Sequence, residues 1–109
     1  MIEDQHIQEA VERVVAVASA TRKVIVFGSY GRGEPSEHSD LDLLVIENAP
    51  VDTHREYARI REAIGRVGTG VGVDLLVCSQ EDFERRASVP GTVCYWAQKE
   101  GRVLYDAAA

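Results

Sequence analysis

The sequence predicts an α/β fold of the α+β type, a small mixed β-sheet with helices mainly on one face. Three observations lead to this prediction: a helix-periodic segment opens the chain, short β-branched segments follow it, and glycine-containing turns separate the two kinds of segment. The 109 residues, with 45% apolar content and no linker-like stretch, predict one domain over residues 1–109.

The first half of the chain predicts one helix, two strands and a loop. Residues 3–19 repeat apolar side chains at the 3.6-residue period of an amphipathic helix. Residues 23–27 are a short β-branched run that stops at Gly28, as a buried strand would. Residues 28–39 contain three glycines and a proline, which indicate a loop or a short helical turn inside a loop. Residues 41–46 predict the second strand.

The middle of the chain predicts a helix, the third strand and the start of another helix. Asp52 is placed to cap a helix that runs to about residue 66. Residues 71–78 form a nearly continuous apolar run and predict the third strand. Ser79, followed by Asp82 three residues later, resembles the capping box that begins the next helix.

The last part of the chain predicts one more helix and a short final strand. Pro90 suits the first turn of that helix, where its missing N–H costs no hydrogen bond. Gly101 suits the C′ position that ends it, and residues 102–105 predict the final strand. Tyr95 and Trp96 are predicted to be packing residues of the helix.

Charge and composition restrict the class of protein. Acidic residues outnumber basic ones by 18 to 12, which disfavours a nucleic-acid backbone as the main ligand. The acidic start of the chain does not resemble a secretory signal, and the longest apolar run, residues 14–20, is too short to cross a bilayer. The two cysteines lack metal-type spacing and suit a core. These features predict a cytoplasmic protein without a membrane partner.

Three aspartates are the strongest chemical signal in the sequence. Asp40 and Asp42 are two residues apart at the start of a strand, so their side chains point to the same side. The segments LDLLV (41–45) and VDLLV (73–77) have nearly the same pattern, so Asp74 joins the other two if their strands are neighbours. Because three adjacent carboxylates repel one another, this pattern predicts a bound divalent cation such as Mg²⁺.

The glycine and serine after the first strand are candidates for holding an anion. Gly28 lets backbone N–H groups approach phosphate closely, and the hydroxyl of Ser29 can donate a further hydrogen bond. The segment is not a P-loop, because no Gly-Lys-Ser/Thr closes it, and its glycines have the wrong spacing for a dinucleotide fingerprint.

The combined motifs are far more specific than their parts. FGSYGRG (27–33), a gap of ten residues after Gly-Ser, and SDLDLLV (39–45) resemble the nucleotidyltransferase superfamily related to DNA polymerase β. Asp74 stands where that family has its third acid. The short form, with a motif-bearing core of about residues 20–105, resembles the MNT (minimal nucleotidyltransferase) domain, which has the fold of the family's catalytic lobe.

The resemblance implies a metal-assisted nucleotidyl transfer from ATP or another NTP. Asp40 and Asp42 would bind two Mg²⁺ ions that bridge the triphosphate, and Asp74 would share the second ion and act on the attacking hydroxyl. Gly28 and Ser29 would hold the β- and γ-phosphates. Arg32 is a candidate for one more phosphate contact, and a solvated loop arginine is an equal alternative.

The acceptor is not specified by any residue, so three functions stay open. MNT domains are often paired with small helical HEPN proteins, and this resemblance implies an antitoxin that transfers AMP to a hydroxyl on its HEPN partner. A second function is transfer to a small-molecule hydroxyl such as that of an aminoglycoside, for which a homodimer cleft could help to hold the acceptor. A third is a non-catalytic antitoxin that acts by binding and occlusion.

Overall fold

A four-stranded mixed sheet forms the centre of the computed structural model. The described residues are 4–36, 39–48, 52–65 and 72–108. The strands are β1 (Thr21–Phe27), β2 (Leu41–Glu47), β3 (Val73–Ser79) and β4 (Arg102–Asp106). Their order is β3-β2-β1-β4, in which β1 is antiparallel to both β2 and β4, while β2 and β3 are parallel.

Five helices connect and cover these strands. They are α1 (Asp4–Val17), α2 (Gly28–Gly31), α3 (Thr53–Ile64), α4 (Gln80–Ala87) and α5 (Val93–Glu100). The helix α3 lies between the parallel strands β2 and β3 in the chain, because parallel neighbours need a crossover connection. Within the described ranges, no helix is long and apolar enough to cross a membrane.

Alternating side chains of β2 enter two separate cores on the two faces of the sheet. Leu41, Leu43 and Val45 pack with residues of α1 and α3, whereas Leu44 and Ile46 pack with residues of α4 and α5. All five are at most 1% exposed. The predicted fold class is confirmed, with the two longest helices on one face and two eight-residue helices on the other.

Two predicted helix caps are confirmed by their hydrogen bonds. The Asp52 carboxylate accepts from the backbone N–H of Arg55 at 3.2 Å and begins α3. The Ser79 hydroxyl accepts from the backbone N–H of Asp82 at 3.1 Å and begins α4. The predicted boundaries at residues 3, 66 and 71 lie outside the described residues.

The start of α5 differs from the prediction. Pro90 lies in the turn before the helix, because Gly91 has a left-handed φ of +93° that interrupts helical geometry. Thr92 is the N-cap instead, and its hydroxyl accepts from the backbone N–H of Tyr95 at 3.2 Å. Gly101 ends the helix as predicted, but in extended backbone. A Cβ there would lie 2.5 Å from the side chain of Ile25, so close packing requires glycine.

Candidate active site

The three predicted acids lie together at one end of β2. Asp42 is directly opposite Asp74 in the parallel β2–β3 ladder, and Phe27 of β1 is opposite Asp42 on the other side. Paired residues of neighbouring strands project to the same face, so these three side chains form one row across the sheet. Asp40 immediately precedes β2, two residues from Asp42. The structure therefore brings the three aspartates together, with Asp42 in the middle.

The row of side chains projects to the face that α4 and α5 cover. Asp42 has the same orientation as Leu44, which packs in the core beneath these helices. The helices stop short of the end of the sheet, so Asp42 is only half-buried and both Asp40 and Asp74 are exposed. Since β3 is an edge strand of the described sheet, Asp74 stands at the open side of the site.

The Asp42 carboxylate is in an electrostatically unfavourable place. Burial raises the pKa of Asp42 to about 6, with further contributions from the charge of Asp74, a hydrogen bond to its carboxyl and the charge of Asp40. Arg32 lowers this pKa by a smaller amount. Among the described side chains, none of the three aspartates has a lysine or arginine within salt-bridge distance. Within the described residues, the negative charge of the three aspartates is therefore not paired with a cationic side chain.

Gly28 lies where the candidate phosphate-binding turn, Gly28–Ser29, meets the three aspartates. It follows β1 directly and has a φ of +67°, which L side chains rarely adopt. A Cβ at this position would collide with the Asp42 carboxylate. Both the backbone conformation and the space beside Asp42 therefore require glycine, and the first residue of α2 contacts the central acid.

Ser29 lies in the single turn of α2, next to Gly28. The carbonyl oxygen of Gly28 accepts from the backbone N–H of Arg32 at 3.0 Å, and that of Ser29 accepts from Glu34 at 2.9 Å. These bonds hold the turn closed. The first N–H groups of a helical turn have no partners inside the helix, which makes them donors for an anion.

Arg32 is close to the site but already has acidic partners. Its guanidinium lies 3.6 Å from a carboxylate oxygen of Glu100 and 3.9 Å from one of Glu34. Its side chain is 44% exposed, and its positive charge lowers the pKa of Asp42. An incoming phosphate would have to compete with these two carboxylates for the guanidinium.

Two features of the site were not predicted from the sequence. A Cβ on Gly72 would lie 2.8 Å from Oδ1 of Asp40, so this glycine makes room for the first acid. The position of Gly72, two residues before Asp74, is the sequence signal that could have identified this glycine. The second feature is Trp96, which is 45% exposed and lines a cavity with Gly28 and Arg32, so its prediction as a packing residue is wrong. Its neighbours Cys94 and Ala97 fill the core position instead.

The donor set suits a hard divalent cation bound together with substrate. Within the ranges that the structure describes, no group of three or more His, Cys, Asp or Glu side chains is placed so that it could hold a metal ion by itself. Carboxylate oxygens are nevertheless the ligands that Mg²⁺ prefers, and Mg²⁺ commonly uses one or two carboxylates with waters and phosphates. The raised pKa of Asp42, without a protein cation beside it, is the condition that such an ion would relieve.

Solved structures with the same fold include nucleotidyltransferases and toxin–antitoxin complexes. A crystal structure described as a "putative nucleotidyltransferase" from Sulfolobus solfataricus has a TM-score of 0.67 and 19% identity, covering 95% of this chain and 80% of the other. A toxin–antitoxin structure with AMP-PNP has a TM-score of 0.62 and 18% identity, covering 96% and 74%. A complex of tri-AMPylated Shewanella oneidensis HEPN toxin with MNT antitoxin has a TM-score of 0.55 and 16% identity, covering 95% and 74%.

Sequence comparison gives the family. A Methanocaldococcus jannaschii protein named "Putative protein adenylyltransferase MJ0604" is 32% identical over 89 residues, which are 77% of this chain and 78% of that protein. The family model of the nucleotidyltransferase domain matches residues 5–100, a range that includes the α2 turn and all three aspartates. This chain belongs to the nucleotidyltransferase domain family.

Proposed function

We propose that this chain transfers AMP from ATP to a hydroxyl group of a partner protein, with Mg²⁺ bound by Asp40, Asp42 and Asp74. The observation that carries the proposal is the pairing of Asp42 with Asp74 in the β2–β3 ladder, with Gly28 against Asp42. This arrangement gathers carboxylates for metal ions beside a turn that can hold phosphate.

The three aspartates have different proposed roles: two bind the metal ions that hold the nucleotide, and the third also acts on the acceptor. Asp40 and Asp42 would hold two metal ions, and Asp74 would share the second of them. When bound, Mg²⁺ neutralises the phosphate charge and lowers the pKa of the attacking hydroxyl. Asp74 stands on an exposed edge strand, so it is the acid that an acceptor on another protein can reach. It orients the acceptor hydroxyl and takes up its proton.

The proposed transfer is a single displacement at the α-phosphorus. The acceptor oxygen forms a bond to this phosphorus, while the bond from the phosphorus to the bridging oxygen of pyrophosphate breaks. The proton of the hydroxyl passes to Asp74 and then to solvent, and the electron pair of the broken bond leaves with pyrophosphate. Gly28 and Ser29 hold the leaving phosphates, and Arg32 adds positive charge if it exchanges Glu100 for phosphate.

The acceptor that we propose is a small helical HEPN protein, which makes this chain the antitoxin of a pair. The name of the Methanocaldococcus relative specifies a protein substrate, and the Shewanella complex contains an AMPylated HEPN toxin bound to its MNT antitoxin. The toxin–antitoxin structure with AMP-PNP supports ATP as the donor. The open side of the site at Asp74 is compatible with an acceptor as large as a protein.

The test is AMP transfer to a small helical HEPN protein, which is first sought among the products of the neighbouring genes. The purified pair is incubated with Mg²⁺ and each of the four NTPs in turn, and intact mass is read on both chains. We expect the partner to gain AMP from ATP, and chelation of the metal to abolish the gain. Asp42→Asn should lower the rate at least about 100-fold, because it removes a charged oxygen ligand from the reacting centre.

Asp52→Asn is the matched control for this experiment. Asp52 lies near the opposite end of β2, and asparagine caps helices as well as aspartate does, so this variant should transfer AMP at the unchanged rate. Transfer that is equal in wild type and Asp42→Asn would contradict the metal assignment. A partner that is inhibited on binding but never gains mass would indicate occlusion in place of transfer.

A further inference from the structure

A cavity of about 350 Å³ adjoins the acids on the side away from Asp74. Phe27, Gly28, Arg32, Trp96 and Glu100 line it. Its volume falls within the roughly 300–1,000 Å³ typical of small-molecule sites. Gly28 forms part of its wall and also lies against Asp42, so the cavity is next to the place where the metal and phosphates are proposed to bind.

Trp96 presents its ring to this cavity in a fixed orientation. The helix α5 buries Cys94 and Ala97 and leaves Trp96 45% exposed. The ring packs edge-on against Tyr95, with centroids 5.2 Å apart and an interplanar angle of 83°, and Nζ of Lys99 lies 5.9 Å from its centroid. Neither neighbour lines the cavity. An indole that is held by its neighbours and left half-exposed beside a cavity is suited to stack on a flat ligand.

The other lining groups favour a nucleobase over a phosphate. Phe27 adds a second aromatic side chain, and base–aromatic stacking is tolerant of base identity. The carboxylate of Glu100 can accept a hydrogen bond from the exocyclic amino group of a base, as acidic side chains do for cytosine. The same carboxylate repels phosphate and already pairs with Arg32 at 3.6 Å.

We propose that Trp96, Phe27 and Glu100 form the subsite for the nucleobase of the bound NTP. This inference rests on the proposed function, because it places the phosphates of the same nucleotide at Gly28 and Ser29. Trp96 supplies the stacking surface, and Glu100 favours bases that carry an amino group, such as adenine. Both are binding residues and take no part in the bond-making step.

The chain contains a single tryptophan, so its fluorescence reports on this subsite directly. The full chain is titrated in Mg²⁺ with ATP and, separately, with tripolyphosphate, which carries the phosphates without a base. We expect ATP to quench the emission of Trp96 and tripolyphosphate to leave it unchanged. Equal quenching by the two ligands, or none by ATP, would overturn the proposal.

Equilibrium dialysis with labelled ligand extends the test to variants without the fluorophore. Trp96→Ala should weaken ATP binding roughly tenfold, and Trp96→Phe should retain most of it because a stacking ring remains. Neither change should affect tripolyphosphate binding. Val89→Ala, which trims a side chain that is 48% exposed and lies outside the cavity lining, is the matched control and should bind like wild type. Unaltered ATP affinity in Trp96→Ala would reject the subsite.

The two proposals fail separately. Asp42→Asn should lose AMP transfer and need a higher ATP concentration, because it removes a metal ligand, but saturating ATP should still quench Trp96 because the base subsite contains no metal ligand. Quenching by ATP without AMP transfer in wild type would leave the subsite in place and remove the transferase function. AMP transfer without quenching would support the transferase function and reject the base subsite.

Discussion

The strand β2 has an acidic cluster near each end, and the two clusters differ in what surrounds them. At its start, Asp40 and Asp42 meet Asp74 and have no cation paired with them in the described structure. At its end, Glu47 lies near Glu56 of α3, and both carboxylates accept hydrogen bonds from the protein. Within the described residues, protein N–H and O–H groups donate to both glutamates, although Oε1 of Glu47 has no hydrogen-bond partner there.

The donors at the glutamate cluster come from the turn between α1 and β1. Glu56 is 3% exposed and accepts from the backbone N–H of Ser19 at 2.6 Å and from its hydroxyl at 2.9 Å, with Arg59 at 3.6 Å. Glu47 is fully buried and accepts from the backbone N–H of Ala20 at 2.7 Å. These bonds connect α3 and β2 to the start of β1, so the glutamates act in stability.

The comparison teaches how a buried acid can be judged from its surroundings. A carboxylate removed from water must gain hydrogen bonds or opposite charge, or its pKa rises. Burial also raises the pKa of Glu47, with Glu56 as a further cause, but the bond from Ala20 opposes that rise. At Asp42 the charge of Arg32 opposes the rise in pKa, and the Mg²⁺ that we propose to bind there would oppose it further.

The largest effect on stability should come from the glutamate cluster. Glu56→Ala removes a buried carboxylate together with the two hydrogen bonds that it accepts from Ser19, and should lower the free energy of unfolding by about 3 kcal/mol. Glu62→Ala, on the exposed side of the same helix, is the control and should change it by less than about 0.5 kcal/mol. Urea denaturation measures both. Equal stability of the two variants would show that the glutamates do not act in stability.

Substitution of Asp42 should have a smaller effect on the free energy of unfolding, and in the opposite direction. The folded pKa of Asp42, about 6, exceeds the ordinary value of 3.8 for an aspartate, so the folded state binds the proton more tightly and stability falls as pH rises from about 4 to about 6. Asp42→Asn removes this dependence. In metal-free buffer at pH 7.5 it should raise the free energy of unfolding by about 1–2 kcal/mol, allowing for solvent screening. Below pH 4 the difference should disappear.

Denaturation at several pH values checks this prediction. Asp52→Asn is again the comparison, since that exposed residue should give a pH profile parallel to that of wild type. If Asp42→Asn destabilises the chain at pH 7.5, then its carboxylate forms interactions that offset its burial, and the contrast between the two clusters is wrong.

The smallest expected effect is stabilisation by Mg²⁺ itself. A ligand that binds only the folded chain raises stability by RT ln(1 + [L]/Kd), so a concentration about ten times Kd should raise the Tm by a few degrees. The effect should be present in wild type and Glu56→Ala and absent in Asp42→Asn. Thermal melts with Mg²⁺ and with chelator measure it. A Tm rise that persists in Asp42→Asn would locate the ion elsewhere.

Local signals in the sequence predicted much of the fold and part of the site. The caps at Asp52 and Ser79 and the common face of Asp40 and Asp42 follow from rules that span only a few residues. The start of α5 was missed because the left-handed backbone of Gly91 was not anticipated. Such a choice depends on how the chain must turn between two packed helices, which a short window does not contain.

The sequence by itself identified the residues that we propose to carry the chemistry: the Gly28–Ser29 turn and the three aspartates Asp40, Asp42 and Asp74. Only the tertiary structure decided that β2 and β3 are parallel neighbours in the register that places Asp42 opposite Asp74. It also decided that Trp96 is exposed beside a cavity. Side-chain alternation acts within one strand, whereas register, burial and cavities arise from segments that meet only when the whole sheet and its helices pack.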